Sequence, residues 1–308
     1  MNGDLFARNT SHASFLVTGS SGFLGRALTA RLNHLGARVV AWSRAECDLE
    51  DSEAIRKRLR GVEVDAVIHL AGRPDRTRAI SRAPELMRAH FTTTLNLMQA
   101  TEAILVHVGT LDEYGAGRAP FREEQAPAPN SPYALSKLAA GHLVCLGGGV
   151  HVRLSLVYGP GQSSGFLVPQ LLNALEAGGP LAMSPGEQQR DFLYLEDAVD
   201  GLIRIALCPS LRGGIVNLCT GTGTPLRDLV GLLEQAAGRP VPVQLGALPY
   251  RSGEVFQSVG CPERLKEHTN WRPGISLAEG LGRLLASRGA AGPLSSGHPG
   301  AEVNSSEP

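Results

Sequence analysis

Lysine is scarce in this 308-residue sequence: Lys57, Lys137 and Lys266 stand against 26 arginines. A GC-rich coding sequence produces such a bias, so a single arginine carries little functional weight and a retained lysine carries more. No charge of one sign predominates either, since 29 basic residues face 29 acidic ones. That balance excludes an acidic disordered chain and argues against nucleic acid as a partner, which normally leaves a basic excess. Cysteines are few and scattered: Cys47, Cys145, Cys208, Cys219 and Cys261 include no CxxC. An odd count without close pairs suits free thiols in the cytosol better than a disulfide framework, and no metal site is expected. No apolar run approaches the roughly 20 residues a membrane helix needs, so no membrane partner is expected. Residues 1–13 are too polar for a secretory core and read as a flexible tail.

What the sequence does have is an alternation. Short β-branched runs at 15–19, 37–43, 65–72, 103–110 and 150–159 are separated by helical stretches near 23–35, 51–60, 82–101 and 131–147. This is the rhythm of βαβ units and a parallel sheet. The expected fold class is α/β, a doubly wound parallel sheet (Rossmann) over residues 14–160, with ligands at the carboxyl edge of its strands. From 161 to 287, turn-rich stretches separate helices near 166–177, 197–207 and 225–238. They read as a smaller, mostly helical substrate region forming the far wall of a cleft. Residues 288–308, rich in Gly, Ser and Pro, are expected to be a second flexible tail.

The first strand runs into Gly19-Ser20-Ser21-Gly22-Phe23-Leu24-Gly25 and then a helix. Glycines there allow a tight turn and close backbone approach, so a dinucleotide pyrophosphate can sit on the helix N-terminus. The second strand ends in Trp42-Ser43-Arg44 where an NAD binder usually carries a carboxylate for the ribose. An arginine pairs with a 2′-phosphate, which favours NADP over NAD; alternatively Arg44 is one more solvated arginine and Glu46 holds the ribose. Asp48 and Leu49 fall near the adenine edge. Tyr133-Ala-Leu-Ser-Lys137 puts a phenol and an ammonium on one helix face. A free tyrosine, with a pKa of about 10, is a poor acid or base at neutrality. The neighbouring lysine is expected to favour the phenolate and bring the phenol toward the working pH. Lys137 also offers donors to the nicotinamide ribose.

Several motifs, in order, resemble the extended short-chain dehydrogenase/reductases: Thr18-Gly-Ser-Ser-Gly22-Phe-Leu-Gly25, His69-Leu70-Ala71-Gly72, Thr110 before Tyr114-Gly115, Ser131-Pro-Tyr133-Ala-Leu-Ser-Lys137 and Tyr158-Gly-Pro-Gly161. Arg190-Asp-Phe-Leu-Tyr-Leu-Glu-Asp197 and Trp271-Arg-Pro273 resemble the NAD-dependent epimerase/dehydratase branch. The similarity runs from about residue 14 to 286. It implies a catalytic triad of Thr110, Tyr133 and Lys137, with Leu70, Ala71 and Gly72 against the cofactor. In the nucleotide-sugar members, arginines at the positions of Arg190 and Arg251 hold the diphosphate, and homodimers through the helices near 82–101 and 131–147 are common. Bottom-up, both arginines could equally be surface residues, and Thr110 a turn hydroxyl. Arg73, Arg76 and Arg78 follow the third strand and read as a solvated loop.

Three departures from the family stand out, one being that the segments before Ile104 and around Gly147-Gly-Gly149 are short for it, a difference that bears on packing more than on chemistry. His90 replaces a common asparagine and is either a satisfied helix histidine or a relay that titrates near neutrality. Thr110 is followed by Leu111 and Asp112 instead of the acid and glutamate of 4,6-dehydratases. Leu111 cannot protonate a leaving hydroxyl, which disfavours elimination of water. The other histidines (12, 34, 69, 107, 142, 151, 268, 298) read as structural or exposed. The expected function is NADP-preferring hydride transfer at a carbon of a nucleotide sugar, by a 4-ketoreductase or 4-epimerase, with Asp112, Arg190 and Arg251 toward substrate. A reductase of a non-sugar ketone and a non-catalytic dinucleotide sensor are the alternatives.

Overall fold

In the computed structural model, residues 3–75 and 77–290 are described. Thirteen strands alternate with eleven α-helices over these residues. A six-stranded parallel sheet forms the centre. Its strands are β1 (Ser14–Thr18), β2 (Arg38–Trp42), β3 (Ala66–His69), β4 (Ile104–Val108), β5 (Val150–Leu154) and β10 (Ile215–Leu218), in the order β10-β5-β4-β3-β1-β2. The order reverses at β1, and the crevice outside its carboxyl end is where a doubly wound sheet binds its ligand.

Helices cover both faces. On one side α2 (Phe23–His34) and α8 (Leu195–Ala206) bury Leu28, Leu32, Ala198 and Leu202 against Phe15, Val17, Ile68, Val106 and Val152. On the other, α3 (Ser52–Leu59), α5 (Thr93–Met98) and α6 (Pro132–Leu146) bury Ile55, Leu97 and Val144 against Leu16, Val67 and Leu105. Period-2 alternation therefore sends Thr18, His69, His107 and His151 toward the α6 side. Pro132 opens α6 after Ser131, whose hydroxyl accepts from the Ala134 amide, so Tyr133 occupies its first turn.

The structure corrects three expectations. Residues 3–11 are not a tail but helix α1, because Phe6 reaches the main core, with 4% exposure, and Thr10 is fully buried. The run 150–159 is two strands in different sheets: β5 stops at Leu154, and β6 (Leu156–Tyr158) pairs instead with β9 (Phe192–Tyr194). The sheet gains a sixth strand, β10, beyond the five expected. Residues 288–290 end α11 (Leu277–Ala290), while the rest of the expected C-terminal tail, Arg76 and His298 lie outside the described residues.

The second core lies after β5, where α7 (Leu167–Ala177), α9 (Leu226–Ala237) and α11 bury Leu171, Leu229, Leu233 and Leu281 against Tyr158 and Tyr194. A small sheet places β8 (Gln189–Arg190) between β11 (Thr224–Pro225) and β13 (Gln257–Ser258), carrying Arg190.

Candidate active site

The glycine-rich turn leaves β1 at Gly19, whose φ of +69° an L side chain rarely adopts. A Cβ on Gly25 would come 2.1 Å from the Gly19 carbonyl oxygen, so only glycine lets α2 start this close to the turn. Gly22 caps α2 without a side-chain hydrogen bond, and no acid lies in the first turn. The N-terminal amides are thus left to an external anion, and Ser21, Phe23 and Leu24 surround them. Arg26, missed in the sequence, donates to the Ser21 carbonyl and adds positive charge there. These features fit a dinucleotide pyrophosphate.

At the end of β2 the Ser43 amide donates to the Glu46 carboxylate at 2.7 Å, and the Ser43 hydroxyl bonds the same oxygen. Those bonds hold the Glu46 carboxyl below its ordinary range. Arg44 is exposed and has no ion pair among the described residues. Asp48 is exposed and accepts from the Glu50 amide, while Leu49 is buried and its carbonyl accepts from Asn96, fixing the loop.

Leu70 and Ala71 follow β3, with their amides on Thr18. A Cβ on Gly72 would meet Lys137 Nζ at 3.2 Å, so this loop lies directly against the α6 lysine. Lys137 is 5% exposed and donates to the Val108 carbonyl at 2.9 Å. Burial pulls its pKa down to about 8. Tyr133 is partly buried one turn earlier. The expectation that lysine would lower it is overturned: burial, then the Asp112 and Glu113 carboxylates, push the phenol up from its ordinary value. The phenol therefore keeps its proton at neutrality.

Thr110 follows β4 and caps a 3₁₀ turn, Leu111–Tyr114. Its hydroxyl accepts from the Asp112 amide at 3.2 Å. It is thus a turn hydroxyl, as one reading had it, and with an acceptor lone pair occupied its own hydrogen remains to donate outward.

His90 is fully buried in a π-helical turn, Arg88–Thr92. Its Nε2 accepts from the Arg73 amide at 3.1 Å, which leaves the proton on Nδ1 to donate to Ser136 Oγ at 2.8 Å; Ser136 in turn donates to the Tyr133 carbonyl. Burial and the Lys137 charge lower its pKa to about 2. It is a satisfied helix histidine, and the neutral-pH titration expected of a relay does not occur.

Asp112 is accessible yet recessed, and desolvation raises its carboxyl against the pull of Arg190 and Arg78. Arg190 donates to the Gln189 and Val255 carbonyls, each at 2.8 Å, and pairs with Glu254. The Arg190 charge acts on Asp112, so the two lie near one another, whereas Arg251 is exposed on the adjoining loop.

Sequence reasoning missed the groups beneath Thr110. Glu113 is fully buried: Oε1 accepts from the Thr110 amide at 3.0 Å, and Oε2 accepts from His151 Nε2 at 2.8 Å and Arg153 Nε at 3.0 Å. His69, His107 and His151 are fully buried, as the structural reading of them allowed, and His12, His34, His142 and His268 are exposed. Among the described residues no cluster could hold a metal ion and no helix is long and apolar enough to cross a membrane.

A family model described as the NAD dependent epimerase/dehydratase family matches residues 15–219. GDP-6-deoxy-D-mannose reductase of Pseudomonas aeruginosa is 29% identical over 296 residues, covering 88% of this chain and 95% of its own. The structure of RMD from Pseudomonas aeruginosa complexed with NADPH is similar with a TM-score of 0.80 and 27% identity, over 90% of this chain and 99% of that one. UDP-glucose 4-epimerase of Thermus thermophilus, in complex with NAD, has a TM-score of 0.82 and 25% identity, over 90% and 99%. The glycine turn, the open α2 terminus and the buried lysine agree with an NAD(P) site, and with the family model spanning more than half its length, this chain belongs to the NAD-dependent epimerase/dehydratase family.

Proposed function

We propose that this protein is an NADPH-dependent ketoreductase acting on a 4-keto sugar linked to a nucleoside diphosphate. The observation that carries the reading is a pair of donors at the carboxyl edge: Thr110 Oγ1 accepts from the Asp112 amide at 3.2 Å and keeps its hydrogen to donate, and burial with the Asp112 and Glu113 carboxylates favours the protonated Tyr133 phenol. A protonated phenol donates. An epimerase needs the same group to accept a proton from the starting alcohol before returning one, and two nearby anions oppose the phenolate.

Bound NADPH supplies the hydride to the carbonyl carbon. Tyr133 gives its proton to the carbonyl oxygen, so the C=O double bond becomes an alcohol. Thr110, its lone pair occupied by the Asp112 amide, donates its hydroxyl hydrogen to the same oxygen. Lys137 binds the ribose with its free donors while the Val108 carbonyl holds it. Exposed Arg44 meets the 2′-phosphate, which supports NADP over NAD, and Arg190 and Arg251 take the diphosphate. Elimination of water is disfavoured: Leu111 is apolar and 3% exposed, and Glu113 is buried on His151 and Arg153, which leaves Asp112 as the one accessible acid of the turn.

The test follows NADPH absorbance with 4-keto sugar nucleotides as substrates, in the wild type and in Tyr133→Phe. Loss of absorbance that Tyr133→Phe reduces by at least about 100-fold, with NADPH binding retained, supports the reading. Interconversion of sugars without net NADPH loss replaces it with an epimerase. Undiminished function in Tyr133→Phe would point to a sensor.

A further inference from the structure

We propose that Glu113 is a positioning residue of this site: buried under the Thr110 turn and anchored on His151 and Arg153 of β5, it clamps the Thr110 amide and so aims the Thr110 hydroxyl at the substrate oxygen. The inference rests on the ketoreductase reading and adds a residue outside the triad.

The geometry is that of a built site. Thr110 and Glu113 form a reciprocal capping box around the 3₁₀ turn. That turn brings the Asp112 amide onto Thr110 Oγ1 and so leaves the hydroxyl hydrogen for substrate. The carboxylate is held from β5 by His151 and Arg153, with Arg153 1% exposed. Space for it is reserved on two sides. A Cβ on Gly109 would lie 2.2 Å from Glu113 Oε1, and one on Gly141 would lie 2.4 Å from the His151 ring.

Burial alone would raise the Glu113 carboxyl; His151, Arg153 and the Thr110 amide reverse this and hold it ionised. From α6, Tyr133 and Lys137 feel that charge, and both are favoured in their protonated forms by it. Cys145 of the same helix also feels it. From β4, His107 bonds His151 and is neutral through burial. On the turn itself Asp112 adds to the anionic field.

The test is Glu113→Gln, whose amide keeps one acceptor oxygen and must turn its NH2 group either on the Thr110 amide or on the His151 and Arg153 donors, so one side of the clamp is lost with the charge. Expected are a fall of at least about tenfold in kcat with KM and NADPH affinity held within about threefold, and an upper limb of the pH–rate profile moved to lower pH. Unchanged kcat and an unmoved limb in a variant that binds NADPH normally would overturn the proposal. A second readout needs no sugar substrate. Near-ultraviolet phenolate absorbance, taken as the difference from Tyr133→Phe with NADP bound, is expected to titrate at lower pH in Glu113→Gln. An unmoved titration overturns the proposal, and because no turnover is involved it does so separately from any failure of the ketoreductase reading. Should Glu113→Gln fail to fold, Glu113→Asp keeps a carboxylate for His151 and Arg153 and draws it a methylene away from the Thr110 amide. A kcat lowered by about tenfold is expected, and an unchanged kcat in that variant would overturn the proposal.

Discussion

The Nδ1 atoms of His107 and His151 lie 3.0 Å apart inside the sheet, where β4 and β5 pair the two residues directly. The same register pairs His69 with His107 and Thr18 with His69, so one polar row crosses four strands on the α6 side. One donor per bond places the His151 proton on Nε2, facing Glu113, and the His107 proton on Nδ1, an assignment from the bonding pattern. The row ends at the turn that carries Thr110.

Two histidines of that row, with His90 of the neighbouring helix, predict acid lability. Burial lowers His69 to about 3, His90 to about 2 and His107 well below its ordinary value. In the unfolded chain all three protonate near pH 6.5. Their folded values are depressed, so unfolding takes up protons as pH falls below about 6.5, and the stability present above that value is lost. Asp191 works in the opposite sense, since burial raises it to about 6 and the folded state binds its proton first. Between about pH 6 and 4 the three imidazoles outnumber Asp191, so unfolding takes up protons and stability falls. Thermal melts across that range are expected to fall steeply. A transition that stays flat down to about pH 4 would show that the imidazoles are charged in the folded state.

Activity has a different dependence. Lys137, pulled down to about 8 by burial, loses its charge as pH rises through that value, while Tyr133 stays protonated. Reduction is expected to be level through neutrality and to decline above about pH 8. Lys137→Met should remove the decline together with most of the activity. A wild-type profile that keeps rising beyond about pH 9 contradicts this arrangement.

Arg44 is the residue proposed to distinguish the two dinucleotides. A hydrogen-bonded phosphate contact is worth about 1.5–3 kcal/mol, so Arg44→Ala is expected to raise the KM for NADPH by about tenfold or more and to leave NADH almost unaffected. Equal losses with both cofactors would mean that the residue acts on the loop and not on the phosphate. Replacing Glu46, which holds the Ser43 amide, is expected to weaken both cofactors by loosening that loop.

Local features were legible in the sequence; pairings were not. Gly19, Gly22 and Gly25 are read from spacing because a tight turn into a helix constrains consecutive residues. Tyr133 and Lys137 sit one helical turn apart, so their shared face needs no tertiary knowledge. The histidine row depends on the register of β3, β4 and β5, which adjacent residues do not encode. Phe6 was missed because a single aromatic suffices to dock α1, while the average over 1–13 is polar. The pattern Thr110-x-x-Glu113 was there to be read as a capping box, the one signal that points to the buried carboxylate. The state of Tyr133 was misjudged for a related reason: Lys137 was visible, and the opposing anions come from a different strand end.

Arg190 offers the most direct test of the proposed substrate. The guanidinium is held by two backbone carbonyls and by Glu254, with the two side chains 17% and 12% exposed. Removing the arginine outright would strand the Glu254 carboxylate, a cost of about 3–5 kcal/mol for a buried pair, and confuse binding with folding. Arg190→Lys keeps the charge but loses the planar fork that can meet a carboxylate and a phosphate together. The expected result is a KM for the sugar nucleotide raised by about tenfold, weaker inhibition by the free nucleoside diphosphate, and an unchanged NADPH affinity. Arg251→Ala is expected to act in the same direction without any stability loss, since that side chain is exposed. If both variants bind the diphosphate as the wild type does, the anionic part of the substrate lies elsewhere, and a ketone without a nucleotide becomes the better reading.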